Sequence, residues 1–265
     1  MRFGVCTTVD NSLSAKESGW DYIEVSAQQV LNALLKDEQW TDALAKESAL
    51  PIRSANLLIP SNLKVTGPKV VPAWLRTYME RMIRRAKQVG ITTLVFDSGA
   101  SRAAPDGFDR EHAKRQIIDF GKLCGELVTA LGGGVTIVLE PLSRRECNLI
   151  NTIAQAMEIV RAVNHPQFQC MFDTFQFWQE DEPLENLSGA VKWIRHVHVA
   201  DKDGRAAPGE TGNSSYQPIF AALRKLDYRG TVSVNAPNLQ PFGYFTVTEY
   251  LKTQWKRADM GLNAA

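Results

Sequence analysis

The sequence lacks an excess of either charge: 30 lysines and arginines stand against 29 aspartates and glutamates, a net charge of +1. Because the positive and negative charges are almost equal in number, the sequence predicts neither a nucleic-acid nor a membrane partner. No apolar run approaches the length needed to span a bilayer. The first residues enter a strand-like run without the apolar core of a signal peptide, so we expect a cytoplasmic protein.

Paired cysteines are also missing. The four cysteines are scattered along the chain, and no two have the Cys-x-x-Cys spacing of a redox motif or a zinc site; they are Cys6, Cys124, Cys147 and Cys170. Disulfide frameworks are typical of small secreted domains. The sequence therefore predicts reduced thiols in the core of a cytoplasmic protein.

What the sequence does have is an alternation of strand-like and helix-like segments. Eight short apolar runs predict strands at Arg2–Cys6, Tyr22–Val25, Ile52–Leu57, Thr92–Phe96, Val135–Leu139, Phe168–Phe172, Ile194–Val199 and Thr231–Val234. Eight strand-then-helix units in 265 residues predict an α/β fold, a single (β/α)8 TIM barrel. A doubly wound sheet is the rival, but no G-x-G-x-x-G fingerprint occurs in the first strand–helix stretch.

The connections between these segments differ in length. Links from a helix to the next strand are short, whereas five links from a strand to the next helix are long and aperiodic: Ile59–Val71, Asp97–Glu111, Thr174–Glu182, Asp201–Ser215 and Asn235–Phe245. In a barrel these long links gather at the carboxyl-end face, where active sites of this fold are built. No composition shift marks a boundary, so residues 1–265 are predicted to form one domain.

Polar residues follow four neighbouring strands where each apolar run ends. Glu140 ends strand five, Asp173 strand six and Asn235 strand eight, while His198 lies near the tip of strand seven. In a barrel their side chains can converge, and this oxygen-rich set suits Mn²⁺ or Mg²⁺, with Co²⁺ as a third candidate. For each residue alone, a satisfied buried polar group is the simpler interpretation; for Glu140 this is a salt bridge to a nearby arginine.

Other polar residues of the strands have less definite roles. His196 shares the strand face of His198 and is interpreted as a deeper interior histidine, not as a ligand. Glu24 in strand two and Asp97 at the end of strand four are candidates for lining the site, without an assigned role.

The densest motifs resemble a known family. They are Glu140-Pro-Leu-Ser-Arg-Arg-Glu-Cys-Asn-Leu-Ile-Asn-Thr152, Asp173-Thr-Phe, His196-Val-His-Val-Ala-Asp201 and Ala207-Pro-Gly-Glu210. Together they resemble the xylose isomerase-like TIM barrels, in particular the sugar phosphate isomerase/epimerase branch with ketose 3-epimerases and hydroxypyruvate isomerases. The resemblance implies a small-molecule sugar substrate, a proton moved between adjacent carbons, and a homo-oligomer, dimer or tetramer.

The resemblance also implies roles for single residues. A divalent metal would be held by Glu140, Asp173, His198 and position 235, with Glu140 as the base. Glu146 and Arg205 match positions that bind substrate oxygens, and Gln176, which stands where the family has a histidine, is assigned to substrate binding with them.

Two positions depart from the family pattern and leave alternatives open. Asn235 replaces a glutamate that serves as ligand and opposing base, and Gln176 replaces the histidine. Asparagine cannot accept a proton, so a two-base epimerisation needs Asp201 or Glu210 as a substitute, whereas a one-base isomerisation needs only Glu140. A decayed or metal-free sugar-binding barrel and a related metal-dependent lyase are the alternatives. A DNA-repair endonuclease is disfavoured by four histidines and the neutral charge.

Overall fold

Eight parallel strands close into a barrel in a computed structural model, which describes residues 1–259. The order around the barrel follows the chain: β1 Arg2–Cys6, β2 Tyr22–Ser26, β3 Ile52–Asn56, β4 Thr93–Phe96, β5 Thr136–Leu139, β6 Phe168–Asp173, β7 Ile194–Val199 and β8 Thr231–Val234. β8 pairs with β1, so no strand edge is left unpaired. The predicted TIM barrel is confirmed, with strand ends within two residues of those expected.

Helices surround this barrel between successive strands. They are α1 Ser12–Glu17, α2 Ala27–Val30, α3 Ala43–Lys46, α4 Pro72–Val89, α5 Gly99–Arg102, α6 Arg110–Ala130, α7 Ile153–Val163, α8 Thr174–Gln179, α9 Leu184–Ala190, α10 Gln217–Lys225 and α11 Tyr244–Asp259. Short 3₁₀ turns lie at Val9–Asn11, Asp37–Gln39, Val191–Trp193 and Pro241–Gly243. Within residues 1–259, no helix combines the length and apolar character required to cross a membrane.

The apolar stripes of the long helices form the outer core. In α4, Leu75, Met79, Met82 and Ala86 are buried against the barrel. The helix begins at Pro72, whose fixed φ suits a first turn, and it ends at Gly90 in the left-handed conformation. Both residues are start and stop signals that can be read from the sequence.

Two predicted loops are wrong in part. The segments 97–111 and 174–182 were expected to lack regular structure, but residues 99–102 form α5 and residues 174–179 form α8. The Asp173 carboxylate accepts a hydrogen bond from the main-chain N–H of Gln176 at 3.0 Å and caps the first turn. Six residues are too few to display a helical apolar period, so the pattern gave no signal. The β2–β3 connection also departs from a regular unit, since it holds only the one-turn helices α2 and α3.

Strand register brings the interior polar groups to matching levels. In β6, β7 and β8 the register pairs Asp173 with His198 and His198 with Ser233. On the other side of the barrel, Glu24 is paired with Cys6 and with Ser54. Neighbours in register point the same way, so polar side chains of five strands meet inside the barrel at its carboxyl end.

Candidate active site

A cavity of about 570 Å³ opens at the carboxyl end of the barrel. Its lining is polar and comes from the ends of several strands and the loops after them; it includes Asn56, Asp97, Glu140, Glu146, Arg205 and Asn235. A concave site at this face is where TIM barrels carry out chemistry. The cavity therefore locates the candidate site where the long loops predicted it.

Three of the four predicted ligands lie together, and one of them, Glu140, lines the cavity. Glu140, Asp173 and His198 each offer one ligand atom, and these atoms lie within 4.8 Å of one another. The Nδ1 atom of His198 is 3.7 Å from Oδ2 of Asp173. All three side chains are at most 2% exposed. The expected convergence of strand ends is thus present in the structure.

Asn235, the residue directly after β8, completes this group. Its Nδ2 atom lies 3.2 Å from Nδ1 of His198. A half-turn about the last side-chain bond would exchange the amide oxygen for the nitrogen, so the same position can offer either atom. We call Glu140, Asp173, His198 and Asn235 the upper cluster.

Glu140 stands out because neither of its carboxylate oxygens has a hydrogen-bond partner within residues 1–259, although both are buried. Burial, reinforced by the negative charge of Asp173, raises the pKa of this carboxyl well above its usual range. A buried acid without a partner costs free energy unless a cation or a ligand compensates it. The predicted salt bridge to a nearby arginine does not form: Arg102 donates to the main-chain carbonyl of Glu140 instead.

Arg205 enters the site from the loop after β7. Its Nη2 atom is 3.3 Å from Oδ2 of Asp173, and its Nη1 atom is 3.6 Å from Oε1 of Glu146. Its guanidinium also lies over the ring of Phe175, 5.2 Å from the centroid. With φ at 54°, Arg205 adopts the left-handed conformation that costs a non-glycine residue about 1 kcal/mol. Such outliers cluster at functional sites.

Gln176 is less accessible than predicted. Its Oε1 atom accepts a hydrogen bond from the main-chain N–H of Ser143 at 2.8 Å. Its Nε2 atom is buried and unpaired within the described residues, and the side chain does not line the cavity. Glu146 and Arg205 do line it.

Below the upper cluster lies a second polar group that sequence reasoning did not assign. Glu24 accepts hydrogen bonds through Oε2 from His196 at 2.8 Å and from Ser54 at 2.7 Å, and through Oε1 from His198 at 2.8 Å. His196 also bonds the hydroxyl of Thr231 at 2.7 Å. We call Glu24, Ser54, His196 and Thr231 the lower layer.

Charges in the lower layer are set by burial and by mutual attraction. Burial opposes ionisation of Glu24, but His198 and His196 outweigh it and hold the pKa of Glu24 well below its usual range. Burial lowers the pKa of His196, and attraction to Glu24 does not reverse this. For His198, burial also lowers the pKa, but the Glu24 carboxylate prevails and raises it. Glu24 is therefore a fixed anion inside the barrel.

Two further residues of the first four strands come close to the site. Asp97 lines the cavity, accepts a hydrogen bond from the main-chain N–H of Leu57 at 2.9 Å, and has a pKa raised by burial. Cys6 forms a second ligand-like group with Glu24 and His198. Burial and the nearby Glu24 raise the pKa of the Cys6 thiol to about 12, so it is neutral. As predicted, all four cysteines are free.

Asp201 and Glu210, the expected substitutes for a second base, form hydrogen bonds within the loop after β7. Asp201 is fully buried, and its oxygens accept hydrogen bonds from the main-chain N–H groups of Gly209 and Thr211 and from the hydroxyl of Tyr216. Glu210 accepts from the main-chain N–H of Ala207 at 3.2 Å. Both carboxylates organise the loop after β7, and neither belongs to the group of ligand atoms formed by Glu140, Asp173 and His198.

Most of the chain is similar to known proteins of one family. Residues 13–254 match the family described as "Xylose isomerase-like TIM barrel". A probable ketose 3-epimerase of Synechocystis is 29% identical over 187 residues, which is 69% of this chain and 63% of that relative. An inosose isomerase of Bacillus velezensis is 26% identical over 278 aligned positions, 95% of this chain and 92% of that relative.

Solved structures agree in fold. An L-ribulose 3-epimerase superposes with a TM-score of 0.80 at 20% identity, covering 98% of this chain and 96% of the other. The IOLI protein, crystallised with a zinc atom, superposes with a TM-score of 0.70 at 21% identity, covering 98% and 97%. At these identities the likeness establishes the barrel architecture.

Proposed function

The chain belongs to the xylose isomerase-like TIM barrel family, and from this premise we propose that it is a metal-dependent sugar isomerase or epimerase. The reaction moves a proton between adjacent carbons of a small sugar or hydroxy-carbonyl compound. Relatives named as ketose 3-epimerase and inosose isomerase support this class of reaction. The unpartnered, buried carboxylate of Glu140 is the observation that carries the proposal.

The upper cluster fits a divalent cation. Glu140 and Asp173 supply carboxylates, His198 supplies Nδ1, and Asn235 supplies its amide oxygen after a half-turn of the amide. Two buried carboxylates close together repel each other, and a cation between them removes that cost. Oxygen donors with one imidazole suit Mn²⁺ or Mg²⁺, and Co²⁺ is a further candidate.

When bound, such an ion stabilises negative charge that develops on a substrate carbonyl. In our proposal Glu140 takes the proton from one carbon and returns it to the neighbouring one. Arg205 and Glu146 orient the sugar hydroxyls from the cavity wall. Arg205 keeps its charge, because Asp173, Glu140 and Glu146 outweigh burial and raise its pKa.

Asn235 decides between two forms of this chemistry. Epimerisation with bases on opposite faces requires a proton acceptor opposite Glu140, and an amide cannot serve. Asp201 and Glu210 are committed to loop hydrogen bonds. We therefore favour a one-base transfer, in which Glu140 acts on a single face of the substrate.

Exchange of substrate hydrogen with solvent deuterium tests the proposal directly. The protein is incubated with Mn²⁺ in D₂O and a panel of ketopentoses, ketohexoses and inososes, and deuterium incorporation is followed by NMR. We expect exchange at a carbon next to the carbonyl, and a loss of about 10²–10⁴-fold in Glu140→Gln, the usual contribution of a positioned base. Glu111→Gln, an exposed residue of α6, is the control.

Undiminished exchange in a folded Glu140→Gln variant would remove Glu140 as the base. A metal-free sugar-binding barrel is the second candidate, favoured by the neutral side chain at position 235 and its Nδ2 atom facing His198. Sugar binding without exchange, and without Mn²⁺ binding in calorimetry, would support that candidate. Loss of water from the substrate would indicate the related lyase.

A further inference from the structure

Glu24 is the most completely bonded carboxylate in the barrel interior, and the proposed reaction does not use it. It is fully buried, and its two oxygens contact three different side chains. Ser54 donates to Oε2, and a histidine nitrogen lies 2.8 Å from each oxygen, so the carboxylate is the acceptor in these contacts. Each histidine nitrogen facing Glu24 must therefore carry a hydrogen.

This requirement fixes the chemistry of the His198 ring. Its Nε2 atom lies 2.8 Å from Oε1 of Glu24 and so is the N–H nitrogen. The opposite nitrogen, Nδ1, faces Asn235 at 3.2 Å and Asp173 at 3.7 Å. With Nε2 directed at Glu24, Nδ1 is the ring nitrogen that His198 turns toward the upper cluster and that can bind a cation there.

Glu24 is itself held from two sides. Ser54 donates to Oε2 at 2.7 Å from the neighbouring strand β3. His196 donates to the same oxygen, and its other nitrogen bonds Thr231 on β8. The strands on both sides of the barrel therefore fix the carboxylate, and His198 has one orientation available for its hydrogen bond.

From this geometry we propose that Glu24 is a positioning residue: it holds His198 in the tautomer and orientation that present Nδ1 to the upper cluster. The inference rests on the proposed function, since it assigns the upper cluster to a metal ion. Histidine ligands commonly donate their second ring N–H to a carboxylate, and loss of that partner typically weakens metal binding 10–100-fold. Ser54 and His196 support this role by fixing Glu24.

Calorimetric titration with Mn²⁺ tests the inference without relying on activity. Glu24→Gln keeps the shape of the side chain, but it removes the negative charge and leaves only one of the two terminal atoms able to accept from a histidine N–H. We expect Mn²⁺ to bind this variant about 10–100-fold more weakly than wild type. Ser54→Ala, which removes one donor to Glu24, should weaken binding by about two- to tenfold, the equivalent of one net hydrogen bond.

Glu182→Gln is the matched control, because Glu182 is another buried carboxylate, bonded to the main chain of Ile153 and to Asn186, neither of which belongs to the upper cluster or the lower layer. It should leave Mn²⁺ affinity within about twofold of wild type, even where stability falls. Unchanged affinity in folded Glu24→Gln would overturn the inference. Where Glu24→Gln does not fold, unchanged affinity in Ser54→Ala overturns it instead.

Ring ¹⁵N NMR of chelator-treated protein separates this inference from the proposed function. We expect a hydrogen on Nε2 of His198 in wild type, and a changed ring signal in Glu24→Gln. A hydrogen on Nδ1 alone would overturn the role of Glu24. Absence of Mn²⁺ binding to wild type would instead remove the metal-dependent function, and the NMR result would still decide how Glu24 holds His198.

Discussion

Two buried glutamates inside one barrel have opposite surroundings. Both oxygens of Glu140, at the cavity floor, lack hydrogen-bond partners within residues 1–259, whereas those of Glu24 contact two histidines and a serine. The pKa of Glu140 is raised, first by burial and then by Asp173, and the pKa of Glu24 is lowered by the histidines despite its burial. The same type of side chain thus has its neutral form favoured in one environment and its ionised form favoured in the other.

The upper cluster and the lower layer thus differ in how completely their polar atoms are hydrogen-bonded. Complete hydrogen bonding makes the lower layer rigid, because any movement leaves a buried polar group unpaired. Incomplete bonding in the upper cluster leaves donor atoms for an ion and a substrate. His198 belongs to both groups through its two ring nitrogens.

The largest stability effect is expected from removing a member of the lower layer. His196→Phe leaves Glu24 and Thr231 each without one buried partner, which costs about 2–3 kcal/mol. In thermal unfolding, the melting temperature should fall by about 2–4 °C for each kcal/mol of lost stability. His112→Phe, at an exposed position of α6, is the control and should change stability by less than about 0.5 kcal/mol. An equally small effect of His196→Phe would mean that the lower layer is not tightly coupled.

The upper cluster was predictable from the sequence because each member lies at or close to the end of an apolar strand. Val-Thr-Ile-Val-Leu before Glu140 and Phe-Gln-Cys-Met-Phe before Asp173 give both the strand and its end. Once eight strands imply a barrel, residues at neighbouring strand ends must converge. The barrel itself followed from the same alternation of strands and helices, without any knowledge of side-chain contacts.

The lower layer was not predictable in the same way. Glu24 lies in the middle of Tyr-Ile-Glu-Val-Ser, and its partners are 30, 172 and 174 residues away in the sequence. Only closure of the barrel brings β2 opposite β7. A charged residue inside an apolar strand was the available signal, since such a residue needs a buried partner. Which residue would be the partner depends on barrel register, which composition and spacing do not give.

A charge at position 235 should bring the upper cluster closer to the family pattern. Asn235→Glu adds an anionic oxygen beside His198, and we expect Mn²⁺ to bind about tenfold more tightly, or about 1.4 kcal/mol. Calorimetry measures the change, and Asn235→Gln separates the effect of side-chain length from that of charge. Equal affinity in Asn235→Glu and wild type would put Asn235 outside the metal shell.

The smallest effect concerns the stability of the metal-free protein. A carboxyl whose pKa rises on folding contributes its full stability below the unfolded pKa and loses it as the pH rises through the folded pKa. Burial and then Asp173 raise the pKa of Glu140, so wild type should lose stability as the pH rises from about 4.5, the usual glutamate value. Glu140→Gln has no such group. In the presence of a chelator, the melting temperature of Glu140→Gln should match that of wild type near pH 4. At pH 8 it should exceed that of wild type by about 2–4 °C for each kcal/mol of stability that ionisation of Glu140 costs the wild type.

Glu182→Gln provides the opposite case. Glu182 accepts hydrogen bonds from the main-chain N–H groups of Ile153 and Ala154, so its replacement should lower the melting temperature at pH 8 instead of raising it.

Saturating Mn²⁺ should stabilise wild type more than Glu140→Gln, because only wild type keeps the full donor set. A melting temperature of Glu140→Gln below that of wild type at pH 8 in chelator would mean that Glu140 has a stabilising partner in the free protein. Its unpaired state could then no longer be the reason for placing a cation there.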